Sequence, residues 1–394
     1  MSYLRLAMTT TAITKMNNNS TYEVAIIGGG LAGLSMAIQC AAKGISVVLF
    51  EKENYPFHKV CGEYISLESK PFLESLCLPF SQLNLPIINQ LKISDANGKI
   101  YSFPLPLGGF GISRYCLDEE LYKIAIGQGA SIFTETKVTN VSFENDTFSV
   151  ESSAGLVNAK VVVSTFGKRS NLDIKWSRPF AKQKANKLNN YIGIKYHIVH
   201  DHPADEIVLH NFADGYCGMS KIEGNKSCLC YLTTAENLKK SNNSIVQMEQ
   251  DILSKNPQLK EIFSNASFLY KEPLAISQIS FNKKSQVENH VLMLGDSAGL
   301  ITPLCGNGMS MALHSSKLAF EAIEQYFSLT MNRQQMEESY AKTWKKNFAT
   351  RLFIGRNVQR VFGGELSTSL FLKAMHLLPG IAYKLIRATH GSVF

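Results

Sequence analysis

Two short apolar runs with a helix-like segment between them stand out near the start of the chain. The runs cover residues 22–27 and 46–50, and both read as buried strands. Apolar residues recur at helical spacing over residues 31–43, and Gly44 follows as a stop signal. This strand–helix–strand order predicts two parallel strands joined by a right-handed crossover.

The middle of the chain shows the alternation of apolar and polar positions that is typical of strands. Residues 76–110 are strand-like and rich in Pro and Gly, and a helix is predicted over residues 117–127. Further short strands are predicted at residues 131–134, 138–143, 147–152 and 160–165. Alternation over residues 191–199 and 227–233 predicts an antiparallel sheet with one covered face.

The last part of the chain predicts one more buried strand and then helices. The strand covers residues 291–295, and a helix precedes it near residues 244–253. Everything after Gly308 reads as helix, with breaks near residues 363–364 and 379–380 where Gly and Pro occur. The chain therefore mixes parallel strand–helix units with a separate antiparallel region.

Composition limits the class of protein. The chain has 394 residues, of which 45% are hydrophobic and 18% charged, an ordinary balance for two joined globular domains. No run reaches the roughly 18 apolar residues of a membrane-spanning helix. The eight cysteines lack metal-ligand spacing, so we predict reduced thiols, no metal site and a cytoplasmic location. Residues 1–20 are expected to be a flexible extension, unless translation begins at Met16.

The formal net charge of +8 is concentrated at the C-terminal end. From Ser339 onward, nine basic side chains accompany a single acid, Glu365. Such a tail suits an acidic carrier protein, an anionic membrane surface or a pyrophosphate, and a solvated helical face is the plain alternative. The apolar segment 370–378 is expected to lie against a membrane, to cap a substrate tunnel or to pack against the sheet. We predict no nucleic-acid partner.

A glycine-rich turn lies between the first strand and the first helix. Its glycines permit a tight turn and a close approach of the backbone to a pyrophosphate, which the free N–H groups of the helix start would bind. Glu51 ends the second strand 18 residues after Gly33, where its carboxylate can accept the ribose hydroxyls. The predicted dinucleotide contacts at the turn are Gly28, Gly30, Leu31, Ala32 and Gly33.

A second glycine-rich segment follows the last predicted strand. Asp296 comes directly after that strand and can accept a hydrogen bond from the ribityl chain of a flavin. Gly306, Gly308 and Met309 lead into the next helix, whose N-terminus would face the edge of the flavin ring that becomes negative on reduction. Together the two motifs predict FAD as the cofactor, not another dinucleotide.

These segments resemble the flavoprotein superfamily of aromatic hydroxylases, squalene epoxidase, flavin halogenases and geranylgeranyl reductases. The geranylgeranyl reductase-like branch is the most similar, through residues 59–63 (KVCGE), 215–218 (GYCG) and 295–299 (GDSAG). The resemblance implies that Arg114 meets the FAD phosphates or ribityl chain. We also assign Lys52, Lys59 and Val138 to the cofactor site.

The fold class predicted from these patterns is α/β. A discontinuous, Rossmann-like FAD-binding domain carries an inserted, mainly antiparallel β-sheet substrate domain and a helical C-terminal tail. The predicted FAD-binding domain comprises residues 21–75, 111–175 and 276–330. The predicted substrate-binding domain comprises residues 76–110 and 176–275, and residues 331–394 form the basic tail.

Several positions depart from the hydroxylase pattern of this superfamily. Phe166 stands where hydroxylases carry the Asp of an Asp-Gly motif linked to NADPH, and Gly299 replaces the His of their Gly-Asp-Ala-His. The Trp-x-Trp signature of the halogenases is absent, because Trp176 and Trp344 stand alone. His58 replaces an expected Arg. The departures at Phe166 and Gly299 favour the reductase-like branch.

Five residues are candidates for the reacting end of the site. The resemblance places Cys61 and Glu63 beside the flavin, Cys61 as a proton donor or a packed side chain, and Glu63 as an acid/base group or a loop carboxylate. A redox pair between Cys61 and Cys305 is a further hypothesis. Tyr216 and Tyr231 are predicted to line the substrate side of the sheet, with plain core packing as the alternative.

The pattern and the resemblance together predict an FAD-dependent oxidoreductase. The favoured reaction is hydride transfer between the flavin and a hydrophobic, isoprenoid- or polyketide-like substrate. The alternatives are a monooxygenase acting on an aromatic or polyketide-like substrate, and a flavin-holding electron carrier that is not an enzyme. The electron donor is either NAD(P)H or reduced ferredoxin.

Overall fold

The computed structural model describes residues 19–183 and 190–394. The predicted flexible extension therefore lies outside the described residues, apart from its last two positions.

Seventeen strands occur in the described ranges. In chain order they are β1 (Ser20–Ile27), β2 (Val47–Phe50), β3 (Tyr64–Ser66), β4 (Ile87–Ser94), β5 (Ile100–Gly111), β6 (Ser131–Phe133), β7 (Val138–Glu144), β8 (Thr147–Ser152), β9 (Gly155–Ser164), β10 (Tyr191–Val199), β11 (Glu206–Phe212), β12 (Gly215–Lys221), β13 (Ser227–Thr234), β14 (Ser267–Phe268), β15 (Leu274–Ile279), β16 (Val287–Glu288) and β17 (Val291–Met293).

Twelve α-helices occur in the same ranges. They are α1 (Leu31–Ala42), α2 (Lys70–Ser75), α3 (Phe80–Leu83), α4 (Arg114–Gly127), α5 (Asn171–Lys175), α6 (Ala235–Lys240), α7 (Ile245–Asp251), α8 (Pro257–Asn265), α9 (Gly308–Phe327), α10 (Arg333–Val361), α11 (Glu365–Leu377) and α12 (Pro379–Thr389). Short 3₁₀ turns include Gly295–Ser297 and Pro303–Cys305.

The first sheet is the predicted dinucleotide-binding sheet. Its central strands run in the order β17–β9–β1–β2–β6, and every neighbouring pair among them is parallel. Val24–Ile27 and Val47–Phe50 are buried on both sides, which explains why these strands are continuous apolar runs. The carboxyl ends of β1 and β2 meet at the glycine turn, so this sheet positions the cofactor motifs.

The second sheet is mainly antiparallel and lies beside the first. Its order is β14–β10–β13–β12–β11–β4–β5–β3, with β15 paired to β10, and only β4 and β11 run parallel. The predicted α/β class with an antiparallel second sheet is confirmed.

The strand Tyr64–Ser66 pairs with β5 in this sheet, although we assigned residues 21–75 to the FAD-binding domain. The hydrogen-bond ladder, which no local pattern reveals, places this segment between the two domains.

Three element boundaries differ from the prediction. Helix α4 begins at Arg114, not at residue 117, because the Ser113 hydroxyl accepts the Cys116 N–H and caps it. The strand predicted over residues 291–295 ends at Met293, and Gly295 turns the chain with a φ of 56°. The helical region after Gly308 also breaks at Leu329, a position with a φ of 60°.

The C-terminal helices cover both sheets. Helix α10 buries Trp344 and Phe348 in the core of the first sheet, whereas α11 and α12 pack against β5 of the second. Within the described ranges, no helix combines the length and the apolar character needed to cross a membrane.

A buried histidine of the second sheet predicts how stability depends on pH. His210 is 4% exposed and lies 3.0 Å from the Ser94 hydroxyl, and burial lowers its pKa to about 4. The unfolded chain, with an ordinary pKa of about 6.5, takes up the proton first, so stability present above pH 6.5 is lost as the pH falls towards 4. The expected loss from this group is up to about 3 kcal/mol.

We expect His210→Asn to show a shallower fall of unfolding free energy between pH 6.5 and 4.5, measured by urea titration at each pH. His376→Asn, at an exposed position, is the matched control and should keep the full slope. Equal slopes for the two variants would contradict the assignment.

Candidate active site

The glycine turn after β1 has no room for a side chain at three of its glycines, Gly28, Gly29 and Gly33. A Cβ atom on Gly28 would lie 2.7 Å from the Thr165 carbonyl oxygen, and one on Gly33 would lie 2.1 Å from the Gly28 carbonyl oxygen. Gly28 also has a φ of 105°, which other residues rarely adopt. The turn can therefore bring the start of α1 close to a ligand backbone.

The start of α1 is a cationic, uncapped helix terminus. Gly30 precedes the helix without a side-chain cap, and the first turn contains no acid. A Cβ on Gly30 would lie 3.8 Å from Arg114 Nη2 and 3.9 Å from Lys59 Nζ. Free N–H groups beside two cations are the donor set that a pyrophosphate requires. Leu31 and Ala32 are buried at this helix start.

A buried carboxylate fixes the two cations. Asp118 is completely buried, accepts 2.7 Å bonds from Nε and Nη2 of Arg114, and lies 3.0 Å from Lys59 Nζ. Burial acts to raise the pKa of Asp118, but Arg114 and then Lys59 outweigh burial and lower it. One carboxylate thus holds both cations at the helix start while leaving them a net positive charge for a phosphate.

The end of β2 supplies the predicted ribose acceptor. Glu51 Oε2 accepts the Gly29 N–H at 2.7 Å, and the Glu51 carbonyl accepts the Thr136 N–H at 2.8 Å, near buried Val138. The Lys52 side chain is 68% exposed and lies 3.3 Å from that of Glu53. β2 ends at Phe50, so Lys52 lies just beyond the strand, and its assignment to the cofactor stays a prediction.

The second motif, which contains Asp296 and the loop before α9, is the segment predicted to bind the flavin half of the cofactor. Burial raises the pKa of Asp296, although Lys284 and Arg114 act to lower it. Gly306 has a φ of 63°, and a Cβ there would lie 3.2 Å from the ring of Tyr64. Helix α9 begins at Gly308 with no acid in its first turn and no side-chain cap, so its positive end is open to a developing anion. Met309 is buried behind it.

The residues on these two motifs fit FAD. The uncapped start of α1 with Lys59 and Arg114 suits the pyrophosphate, Glu51 suits the ribose, and the second motif suits the ribityl chain and the ring. Both helix starts lack an acid in the first turn and a side-chain cap, and each follows a turn that contains a glycine with a positive φ, so their free N–H groups are available to a ligand.

The segment Cys61–Tyr64 joins the two halves of this site. Glu63 is completely buried with a φ of 55°, and its Oε1 accepts the Arg114 N–H at 2.7 Å. The same oxygen accepts a bond from Lys195 Nζ, and Oε2 lies 2.6 Å from His197 Nε2. The next residue, Tyr64, contacts the Gly306 loop. Glu63 therefore ties the cation site at α1 to the loop before α9.

The charges in this cluster are paired. Burial acts to raise the pKa of Glu63, but the hydrogen bond from His197 and the charge of Lys195 outweigh it and lower the pKa. Burial acts to lower the pKa of Lys195, but the Glu63 carboxylate leaves it raised. Glu63 is thus a carboxylate that holds no proton near neutral pH. Its contacts give Glu63 a positioning role, and its predicted acid/base role stays a prediction.

Cys61 keeps its proton. Burial raises the pKa of its thiol, against the opposing influence of Arg114, and its carbonyl accepts the Cys228 thiol at 3.2 Å. Cys305 has other neighbours, namely the Thr302 hydroxyl at 3.4 Å and the backbone at Gly355. The cysteines of the described chain are all free, and these surroundings do not support a Cys61–Cys305 redox pair.

The two predicted substrate tyrosines lie on opposite faces of the second sheet. Tyr216 pairs with Leu232, and Cys217 pairs with Tyr231, so Tyr216 and Tyr231 point in opposite directions. Tyr216 faces the cluster formed with α11 and α12, near Cys305. Tyr231 packs under α7 and donates to Glu249 at 2.7 Å. The prediction for Tyr231 is wrong, because strand alternation carries it away from the cofactor side.

Sequence reasoning missed Lys195, His197 and Cys228. Lys195 and His197 are two residues apart on β10 and therefore share a face, and His197 pairs with Cys228 on β13. The sequence did contain a signal for them. Polar residues stand at alternate positions of β10, a strand that was predicted to have one covered face. Donor atoms of Glu63, His197 and Cys228 lie within 4.8 Å of one another, as metal ligands do, but Lys195 already supplies the positive charge there.

Comparison with known proteins points to the same cofactor. The family model described as "FAD dependent oxidoreductase" matches residues 23–59. The chain is 24% identical to conditioned medium factor receptor 1 of Dictyostelium discoideum, over 96% of this chain and 76% of that one. It is 22% identical to digeranylgeranylglycerophospholipid reductase of Methanococcus vannielii, over 83% of each chain. The fold matches the flavin-dependent brominase Bmp2 with a TM-score of 0.78 at 20% identity, covering 95% and 94% of the two chains.

The glycine turn, the second motif and these similarities define an FAD-dependent oxidoreductase. The chain is similar to proteins named as flavin-dependent halogenases, monooxygenases and geranylgeranyl-lipid reductases, the superfamily that the sequence motifs resemble.

Proposed function

We propose that this enzyme is a reductase or dehydrogenase that transfers a hydride between FAD and a carbon–carbon bond of a hydrophobic, isoprenoid- or polyketide-like substrate. When bound, FAD supplies the hydride chemistry. The protein positions the substrate, excludes water and manages the accompanying proton.

Three tyrosine hydroxyls in an apolar cluster carry the proposal. Tyr64, Tyr101 and Tyr216 belong to the cluster that the second sheet forms with α11 and α12. The hydroxyls of Tyr64 and Tyr101 have no hydrogen-bond partner among the described residues, and the Tyr216 hydroxyl lies near the Leu304 backbone. A buried hydroxyl without a partner costs about 1–3 kcal/mol and usually has a functional reason. Tyr64 contacts the Gly306 loop, so this cluster adjoins the predicted flavin position. Apolar walls with a few polar atoms suit a long hydrophobic substrate with a single polar end.

The proton is assigned to Cys61. Its raised pKa keeps the thiol neutral at physiological pH, so Sγ can donate a proton to the carbon next to the one that receives the hydride. Neighbouring Gly62 is exposed, with open space at its Cβ position, which gives the segment access to solvent for reprotonation.

The reductase relative and two departures from the hydroxylase pattern support this reaction over oxygen insertion. A Cβ on Gly299 would lie 2.8 Å from the Trp344 ring, so the histidine of the hydroxylases does not fit at this position. The centroids of the Phe166 and Trp176 rings lie 6.4 Å apart. This position therefore offers an aromatic ring, not the carboxylate that the hydroxylases use for NADPH. The electron donor is proposed to be NAD(P)H, binding transiently, or reduced ferredoxin.

Anaerobic reoxidation tests the reaction. Holoenzyme is reduced in parallel with NADH, NADPH and reduced ferredoxin, and then mixed with geranylgeraniol or a geranylgeranylated glycerophospholipid without oxygen. We expect the oxidised flavin absorbance to return and the lipid to gain two hydrogen atoms, detected by mass spectrometry. Cys61→Ala is expected to slow this step about tenfold, because water replaces the thiol only in part.

Cys77→Ala, at an exposed cysteine, is the matched control and should leave the rate unchanged. Reoxidation that requires oxygen and inserts an oxygen atom would overturn the proposal in favour of a monooxygenase. Rapid reduction of a partner protein, with no reaction with any lipid or small molecule, would instead indicate an electron carrier.

A further inference from the structure

Helix α11 exposes a row of leucines to solvent. Leu366, Leu370 and Leu377 are 86%, 71% and 75% exposed, and exposed Lys373 stands in the same row. The spacing of four, three and four residues puts all four on one helix face, which we call the leucine row. The opposite face already makes the packing contacts, through buried Leu372 and Met375, so the leucine row is not needed for folding.

The exposed apolar surface continues past the end of α11. Leu378 is 51% exposed, Ile381 is 56% exposed and Tyr383 is 46% exposed. Exposed Lys384 and Arg387 lie next to them on α12. Monomeric proteins rarely expose this many large apolar side chains in one continuous stretch without a partner for them.

Charge identifies the partner of this surface. Among the described residues, Lys373, Lys384 and Arg387 form no ion pair with an acid, and Glu365 is the single acid after Ser339. Basic side chains interspersed with exposed leucines on short helices match an interface of anionic headgroups over acyl chains. An acidic protein as partner would explain the basic side chains, but it would not explain why the leucines are about three-quarters exposed.

We propose that α11 and α12 dock the enzyme on an anionic lipid membrane through the leucine row and the basic residues beside it. The apolar side chains enter the acyl boundary and the cations meet the lipid phosphates. The inner faces of the same helices contribute Leu372 and Ile386 to the cluster that contains Tyr216. If the proposed function is right, a membrane-dissolved substrate therefore passes directly from the bilayer to the site; the docking itself does not depend on that reaction.

Vesicle binding tests the docking. Full-length holoenzyme is sedimented with vesicles of phosphatidylcholine alone or with phosphatidylglycerol added, and bound flavin reports the intact fold. We expect binding to the anionic vesicles that weakens as salt rises. The triple variant Leu366→Ser/Leu370→Ser/Leu377→Ser should partition at least about tenfold more weakly while retaining FAD, because exposed leucines contribute little to stability.

Matched controls separate the surface from a general effect. Leu329→Ser removes a 91% exposed leucine outside the tail and should bind as the wild type does. Lys373→Glu/Lys384→Glu should weaken binding about tenfold, whereas Lys239→Glu/Lys240→Glu, with the same charge change on α6, should do so much less.

Several outcomes would overturn the docking. They are no binding by the wild type, unchanged binding by the triple variant, or a dimer that the triple variant abolishes, which would identify a second copy as the occupant. Selective capture of an acidic carrier protein, without binding to vesicles, would identify that carrier as the occupant. Reductase activity, measured with detergent-dissolved lipid, is a separate readout, so it can fail or survive independently of docking.

Discussion

Replacing Lys195 by methionine is expected to lower the free energy of unfolding by about 3 kcal/mol at pH 7. The lysine is 1% exposed and pairs with Glu63, which is completely buried. Without the ammonium group, Glu63 keeps only His197 and the Arg114 N–H as partners, so a buried charge is left partly uncompensated. Chemical denaturation of the apoprotein, followed by circular dichroism, measures the loss without a contribution from FAD.

The pH dependence of this loss has a definite sign. Because the folded-state pKa of Glu63 is lowered, the pairing stabilises the protein above the ordinary glutamate pKa of about 4.3, and the contribution disappears as the pH falls through the folded value. Because the pKa of Lys195 is raised, its contribution is complete below about pH 10.4. The difference between wild type and variant should therefore be full at pH 7 and shrink in acid.

Two comparisons show whether the ion pair is responsible. Lys221→Met removes another buried lysine, whose Nζ donates to the His200 carbonyl at 3.0 Å and to the Asn225 side chain at 3.2 Å, so only about 1 kcal/mol should be lost. The double variant Glu63→Gln/Lys195→Met should recover part of the loss, because neither charge remains buried. If the double variant is less stable than Lys195→Met alone, the charges are not the cause.

Replacing Arg114 by methionine is expected to weaken FAD binding at least about 100-fold, or about 2.7 kcal/mol. Arg114 Nη2 lies near Gly30 at the start of α1, and its guanidinium compensates the buried Asp118 carboxylate. The variant thus loses a phosphate donor and leaves a negative charge, held by Lys59 alone, close to the pyrophosphate position. Titration of apoprotein with FAD, followed by flavin fluorescence, gives the dissociation constant.

Matched variants separate the two contributions. Arg169→Met removes an exposed arginine whose Nη1 lies 2.6 Å from the Gln278 side chain, and FAD affinity should be unchanged. Arg114→Met/Asp118→Asn should regain stability and only part of the FAD affinity, because the phosphate donor is still missing. An Arg114→Met affinity within threefold of the wild type would refute the assignment of this helix start to the pyrophosphate.

The cofactor half of the site could be predicted because its signals are local in sequence. Gly28, Gly33 and Glu51 act within one strand–helix–strand unit, where the steric limits of a tight turn leave little choice of residue. Asp296 and Gly306 likewise belong to one strand–turn–helix segment. For Lys52 the sequence pattern indicates where the strand ends but not which way the next side chain points.

The residues around the reacting end could not be predicted, because long-range pairing brings them together. Glu63 meets Lys195 and His197 across 132 and 134 residues of chain, and no local pattern records that contact. Tyr216 and Tyr231 are aromatic residues in neighbouring strands, so the sequence offers no reason to prefer one as a substrate contact. Only the register of β12 and β13 shows that they lie on opposite faces of the sheet.

The sequence by itself determined the FAD-binding unit, the α/β class with its antiparallel second sheet and the basic charge of the tail. Those properties depend on backbone sterics, on the period of apolar residues and on composition, all of which can be read along the chain. Only the tertiary structure decided that Glu63 is an ion-paired carboxylate, that Tyr231 faces away from the cofactor, and that the leucines of α11 face solvent. Those properties depend on which surfaces meet when distant segments pack, because burial and the neighbouring charges and hydrogen bonds together set the charge of each group.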